Sequence, residues 1–216
     1  LKEAKYNDDQ GVLRYSIVKS GKRLTDEEVD QVCESIRKIK EETNIEVCFS
    51  FGLLKEEQLR KVREAGATRA HCNLETSRRY FPEICTTHTY DQKIETLKAA
   101  VAAGLSICSG GIMGLGETLE DRVDMVFTAK ELGVKSVPVN FLNPIPGTPY
   151  EDNKPLTDEE ARQCVAVFRF IIPDASIRLA GGRGLLDDKG KECFQSGANA
   201  AISGDMLTTA GITVQK

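Results

Sequence analysis

Two hydrophobic periods take turns along this chain. Short apolar runs at 12–18, 45–50, 68–74, 105–108, 136–140, 176–180 and 200–203 read as strands. Between them, apolar residues recur at three and four positions, as Val29, Val32, Ile36 and Ile39 do, which is one face of a helix. The predicted helices are 25–43, 55–66, 90–103, 119–132, 157–170 and 188–196, after a polar, helix-like opening at 1–10. Thr25 with Glu28 and Thr157 with Glu160 have the spacing of capping boxes. Gly66, Gly104 and Gly133 follow their helices as C′ residues. Two stretches, 75–89 and 141–155, read as long loops, and the second is rich in proline.

Strand then helix, repeated, predicts parallel βα units. A doubly wound sheet would carry a nucleotide fingerprint on its first βα turn. Lys19-Ser20-Gly21-Lys22 is neither that fingerprint nor a P-loop. The favoured fold class is therefore α/β, a (β/α)8 TIM-type barrel with about seven βα units present and the first strand missing, over 1–216 as a single domain.

The stretch 107–118 is the centre of this organisation. A strand ending at Cys108 runs into Gly110, Gly111, Gly114 and Gly116, then into a helix opened by Thr118, Glu120 and Asp121. Glycines allow backbone to come close to a flat or charged ligand. The plain alternative is a tight βα turn beside a buried cysteine.

Composition narrows the partners. A net charge of −4 on 216 residues gives no bulk electrostatic grip on nucleic acid. No apolar run approaches the ~20 residues of a membrane span, and no export signal stands at the start, so a cytoplasmic protein is expected. Seven cysteines, odd in number and with no C-x-x-C pair, disfavour a closed disulfide set or a zinc ribbon. Cys33 and Cys164 fall on apolar helix stripes and are expected to be packing residues.

In a barrel, chemistry gathers at the C-terminal ends of the strands. Cys48, Cys108 and Arg178 fall in that ring. Thiolates from separate strands, with an arginine to offset charge, suit an iron–sulfur cluster better than structural zinc. Each cysteine taken singly could equally be a small buried hydrophobe. Asn73 and Glu75 alternate at a strand end, so a shared face and a ribose-binding carboxylate are expected. A surface carboxylate is the competing reading.

The chain also resembles a known family. Asn-Leu-Glu-Thr-Ser at 73–77, Thr-Thr-His-Thr-Tyr at 86–90, the 108–118 stretch, Ser-Val-Pro-Val-Asn-Phe-Leu at 136–142, Gly-Thr-Pro at 147–149, Ile-Arg-Leu-Ala-Gly-Gly-Arg at 177–183, Gly-Ala-Asn-Ala at 197–200 and Leu-Thr-Thr at 207–209 occur in this order. They resemble the biotin synthases, radical S-adenosylmethionine enzymes, over nearly the whole chain. The resemblance implies sulfur insertion into dethiobiotin, a [4Fe–4S] cluster that cleaves S-adenosylmethionine, an auxiliary cluster that donates sulfur, a flavodoxin or ferredoxin as electron donor, and a homodimer. It implies that Asn73, Glu75, Gly111, Ile112, Gly114 and Asn143 bind S-adenosylmethionine. Asn73, Asn140, Thr208 and Thr209 would hold dethiobiotin, and Cys48, Cys108 and Arg178 would ligate the auxiliary cluster. It assigns no further catalytic residue within 1–216.

Two departures accompany the resemblance. The family's C-x3-C-x2-C motif for the [4Fe–4S] cluster is absent, and the closing segment is short. The chain therefore reads as a piece truncated at both ends and inactive by itself. Ser16 stands where typical members have a third cluster cysteine, while Cys72 and Cys85 are extra. Either is a candidate to complete an auxiliary cluster that is two-iron in typical members and four-iron here. The rival readings are a related barrel of methylornithine synthase or hydrogenase maturase type, and a non-catalytic ligand-binding barrel.

Overall fold

The computed structural model describes residues 1–204 of the 216-residue chain. In chain order the elements are α1 (Lys2–Asp9), β1 (Arg14–Val18), α2 (Asp26–Glu42), β2 (Glu46–Ser50), α3 (Glu56–Glu64), β3 (Arg69–His71), α4 (Phe81–Ile84), α5 (Tyr90–Ala102), β4 (Ser106–Cys108), β5 (Gly111–Met113), α6 (Leu119–Glu131), β6 (Ser136–Phe141), α7 (Asp158–Ile171), β7 (Ser176–Leu179), a 3₁₀ turn (Arg183–Leu185), α8 (Lys191–Gln195) and β8 (Ala200–Ala201). Contacts divide the chain into two compact units, residues 1–72 with 91–108, and 73–90 with 109 onward.

In the first unit β1, β2, β3 and β4 pair in that order, all parallel. Ser16 is in register with Cys48, Cys48 with Arg69, and His71 with Cys108. Because side chains alternate across a strand, Arg14, Ser16, Cys48, Arg69, His71 and Cys108 share one face. Val47, Phe49, Ala70 and Ile107 take the other and are buried. Helix α2 begins at the expected Thr25–Glu28 capping box and buries Val29, Cys33, Ile36 and Ile39. Each such fully buried aliphatic side chain contributes roughly 1.5–3 kcal/mol.

In the second unit β5, β6, β7 and β8 pair in order, again parallel. All of β6 except Asn140 is buried, as expected of a parallel strand covered on both faces. Thr157–Glu160 forms the second expected capping box, and α7 buries Ala161, Cys164, Val165 and Phe168. Among the described residues no helix is long and apolar enough to cross a membrane.

The structure corrects several local expectations. The glycine stretch is not only a turn: its residues 111–113 form β5, in register with Val139, Asn140 and Phe141. Three residues opening on a glycine are too few to carry an alternation that would reveal a strand. The loop 75–89 holds a single helical turn, α4. Strand β3 stops at His71, so Asn73 and Glu75 lie beyond it. The 3₁₀ turn follows Gly182, and α8 is shorter than the 188–196 expected.

Candidate functional site

The second unit gathers Asn73, Glu75, Gly110, Gly111, Ile112 and Asn140 into one hydrogen-bonded network. Asn73 Nδ2 donates to Glu75 Oε2 at 3.3 Å, and Gly110 N donates to Asn73 Oδ1 at 3.0 Å. Glu75 N donates to Gly110 O at 3.0 Å, while Ile112 N donates to Glu75 O at 2.9 Å. Asn140 Nδ2 donates to Gly111 O and its Oδ1 accepts from Gly181 N, each at 3.0 Å. Asn73 and Glu75 were expected to share a strand face; they lie past the end of β3 and instead join side chain to side chain. Glu75 has φ of 72°, the left-handed region that a non-glycine residue enters only when its surroundings hold it there.

The glycines serve backbone packing. A Cβ on Gly110 would stand 2.0 Å from Pro138 O, and one on Gly111 would stand 2.2 Å from Glu75 O. The peptide of Gly114 is gripped at both ends: its N–H donates to Glu117 Oε1 at 2.8 Å, and its carbonyl accepts from Asn153 Nδ2 at 2.8 Å. Tyr80 donates its hydroxyl to Leu115 O at 3.1 Å. These groups of the loop are thus spent on protein partners, while Glu117 Oε2 is buried without one among the described residues, and the helix end beyond is closed by its own Thr118–Asp121 capping box. Asn143 is half-buried just after β6. Thr208 and Thr209 lie outside the described residues.

The sequence reading missed Asp121 as more than a cap. Its buried carboxylate accepts from Ser77 Oγ at 2.5 Å, from Arg79 Nε at 3.1 Å and from Thr118 N at 2.9 Å. It also pairs with Arg79 Nη2. Burial alone would raise its pKa, but the bonds from Ser77, Thr118 and Arg79 outweigh burial and hold the carboxyl well below the usual carboxylate range. Asp121 ties the segment following Glu75 to α6. Asn153 was missed too, since its partner, the Gly114 carbonyl, is 39 residues away, and so was Glu117, although its partner Gly114 N is only 3 residues away. The one local signal was the Thr118-x-x-Asp121 spacing.

In the first unit Cys48 and Cys108 are both buried on the shared polar face, at 6% exposure each. Burial pushes the Cys48 thiol up to about 11; Cys108 acts in the same direction, while the Ser16 hydrogen bond, Arg69 and Arg14 act against it. Ser16 is the register neighbour of Cys48, so the serine does occupy the position beside the thiol. Arg178, on β7 of the second unit, has a buried Nε with no hydrogen-bond partner among the described residues. Each unit by itself offers chemistry suited to an electron-rich, sulfide-containing group: two buried thiols in the first, and in the second a buried guanidinium edge with no acceptor among the described residues. Of the two extra cysteines, Cys72 lies in the first unit and Cys85 in the second. Cys72 N donates to Cys108 O at 3.1 Å, which continues the ladder one residue past His71, so alternation turns the Cys72 side chain to the opposite face from Cys108. Cys85 follows α4 and meets Thr87 and His88. Among the described residues no three His, Cys, Asp or Glu are arranged to hold a metal ion.

The raised thiols make a pH prediction. Cys193 also lies at about 11, through burial and then Asp188 and Asp158. Folded pKa values above the thiol's ordinary 9.0 mean that the folded chain holds protons the unfolded chain has lost. Their stabilisation is complete below about pH 9 and is lost as pH rises toward about 11. Thermal unfolding followed by circular dichroism at pH 8, 9.5 and 10.5 should show Tm falling, and the C48A/C193A double variant should fall less steeply. Parallel slopes for both proteins would refute the assignment.

Comparison with known proteins agrees with this geometry. The Radical SAM superfamily model matches residues 1–129, and the model of the Biotin and Thiamin Synthesis associated domain matches 138–216. The biotin synthase of Akkermansia muciniphila is 59% identical over 216 residues, which is 100% of this chain and 67% of that protein. Biotin synthase 2 of Corynebacterium diphtheriae is 59% identical over 99% of this chain and 65% of its own length. The chain thus spans about two thirds of the curated relatives it matches. Among solved structures, methylornithine synthase superposes with a TM-score of 0.81 at 20% identity, covering 100% of this chain and 65% of its own. The FeFe-hydrogenase maturase from Carboxydothermus hydrogenoformans gives 0.80 at 17% identity, over 99% of this chain and 53% of its own. At those identities the two structures establish the fold, the α/β barrel type expected from the strand–helix alternation. The domain models and the full-chain identity together say more: this chain belongs to the biotin synthase family of the radical SAM superfamily.

Proposed function

We propose that the protein carrying this chain is a biotin synthase, which inserts sulfur into dethiobiotin in a reaction driven by S-adenosylmethionine. The observation that carries the reading is the network of Asn73, Glu75, Gly110, Gly111 and Asn140. When bound, S-adenosylmethionine with its reducing [4Fe–4S] cluster would supply a carbon-centred oxidant, and the auxiliary cluster the sulfur.

The work of this chain is binding and exclusion. Glu75, fixed by its own backbone bonds, offers a carboxylate to the ribose hydroxyls of S-adenosylmethionine. Asn73 orients that carboxylate and keeps amide capacity for the ureido ring of dethiobiotin, which Asn140 faces with its own amide. Ile112 and the backbone of Gly111 and Gly114 form a rigid wall for the adenine, with Asn143 beside it. Cys48, Cys108 and Arg178 hold the auxiliary cluster, and their burial keeps water from it. Thr208 and Thr209 take the carboxylate tail of dethiobiotin. A flavodoxin or ferredoxin supplies electrons to a cytoplasmic homodimer.

The test is anaerobic reconstitution of the full-length protein with iron and sulfide. Wild type should form biotin from dethiobiotin, and C48A and C108A should each lose the iron, sulfide and visible absorption of one cluster. N73A should keep both clusters and lose turnover by at least about 10²-fold, as removal of a positioning contact does. Iron and sulfide contents equal to wild type in C48A and C108A would overturn the ligand assignment, and a wild-type protein that makes no biotin would overturn the function.

A further inference from the structure

Of the seven cysteines, Cys85 is the one that is not buried. It also has a partner suited to ionising it. Cys85 Sγ lies 3.5 Å from His88 Nδ1 and 3.8 Å from Nε2, with Thr87 Oγ1 at 3.6 Å. Thr87 Oγ1 is 3.0 Å from His88 Nδ1, and the ring of Phe81 meets the imidazole edge-on at 5.7 Å between centroids, so the imidazole is held from two sides. Phe81 is itself buried against Tyr90. A half-exposed thiol beside a positioned imidazole is the arrangement of an activated sulfur nucleophile. The roles proposed above for S-adenosylmethionine and dethiobiotin do not use it, and the ligand set proposed for the auxiliary cluster is Cys48, Cys108 and Arg178.

We propose that Cys85, with His88 as proton acceptor, takes up sulfane sulfur from a persulfide donor, and so is the point where sulfur enters this protein. The proposal rests on the reading above, because a reaction that draws its sulfur from a bound cluster must have that sulfur replaced. In the transfer, the Cys85 thiol gives its proton to His88 and the thiolate attacks the outer sulfur of the donor R–S–SH. An S–S bond forms at Cys85, the donor's S–S bond breaks, and the donor leaves as a thiolate that takes the proton back. The products are Cys85–S–SH and R–SH, with no net gain or loss of electrons. The chemistry that must precede this step is therefore one that makes persulfides from a sulfur-bearing metabolite.

The experiment uses the full-length protein with glutathione persulfide as the probe, and mass spectrometry of the peptide containing Cys85. Wild type should gain one sulfur atom at Cys85, C85S none, and H88Q the same product at least about tenfold more slowly. C85S that keeps the iron and sulfide contents of wild type should fail in later turnovers supplied by the persulfide together with a reducing thiol, where wild type continues; C85S that loses a cluster would make Cys85 a ligand and would overturn the proposal. Sulfur appearing on another cysteine instead, equal rates in H88Q and wild type, or repeated turnover by C85S would overturn the proposal. If wild type gains sulfur at Cys85 but makes no biotin, the sulfur-acceptor role is supported and the function proposed above is what fails.

Discussion

Gly111→Ala should destabilise the protein by about 3 kcal/mol or more, the upper range for forcing an atom into a packed site. The added Cβ would fall 2.2 Å from Glu75 O and 2.3 Å from Met125 Sδ. The methionine end can move, but the carbonyl cannot. It accepts from Ile112 N, while the Glu75 N–H is tied to Gly110 O and the residue already sits at positive φ. Relief of the clash must therefore break the ladder that joins the Glu75 segment to β5. The same break would misplace the Glu75 carboxylate, so any folded G111A should lose S-adenosylmethionine binding. Gly184→Ala is the control, because a Cβ there meets nothing within 4 Å. Urea denaturation should show a large drop in midpoint for G111A and a change within about 0.5 kcal/mol for G184A, as for other unconstrained surface positions. A G111A midpoint equal to wild type would show that this contact is not rigid.

Asp121→Asn should cost about 2–4 kcal/mol, since it breaks a buried, charge-assisted cluster. The end of the range is set by Arg79, which is 65% exposed along its side chain, so its pairing is screened by water and adds little. The bonds from Ser77 and Thr118 carry most of the effect. The loss should depend on pH. The carboxyl is held below its ordinary 3.8 in the folded chain, so the unfolded chain takes up protons first. The stabilisation is complete above the unfolded value, near pH 4, and drains away as pH falls below it. Wild type and D121N should therefore differ most in urea midpoint at pH 6–7 and converge toward pH 2. A constant difference across that range would place the effect in packing and not in charge.

Much of the local architecture was legible because its causes are local. A capping box is two side chains three residues apart, so Thr25–Glu28 and Thr157–Glu160 could be read directly, and both form. Gly66 and Gly104 follow their helices at φ of 113° and 80°, a conformation that glycine alone adopts without strain. Cys33 and Cys164 are buried as their helix stripes require. The ordered motifs from Asn73 to Thr209 likewise point to the family, because they are residue identities at fixed spacings.

The candidate site was legible as a set of residues but not as an arrangement. Asn73 and Glu75 were expected to share a strand face by alternation, whereas they lie beyond β3 and meet where Gly110 N binds the Asn73 side chain, Gly110 O takes the Glu75 N–H and Ile112 N binds Glu75 O. β5 is three residues long and starts at a glycine, so its pairing with β6 depends on Val139, Asn140 and Phe141 arriving from the other side of α6. The weight carried by Asp121 depends on Ser77 and Arg79, more than forty residues away.

What the sequence by itself determined is the alternation of strands and helices, the helix ends, the buried stripes and the family, since each follows from residue type and short spacing. Tertiary structure alone decided the parallel register that sets Ser16 beside Cys48, the left-handed turn at Glu75, and the pairing of Cys85 with His88 under Phe81. Those outcomes depend on hydrogen bonds and contacts that exist only once the surrounding chain is packed in place, where an otherwise unfavourable φ or a particular register becomes the arrangement of lowest free energy.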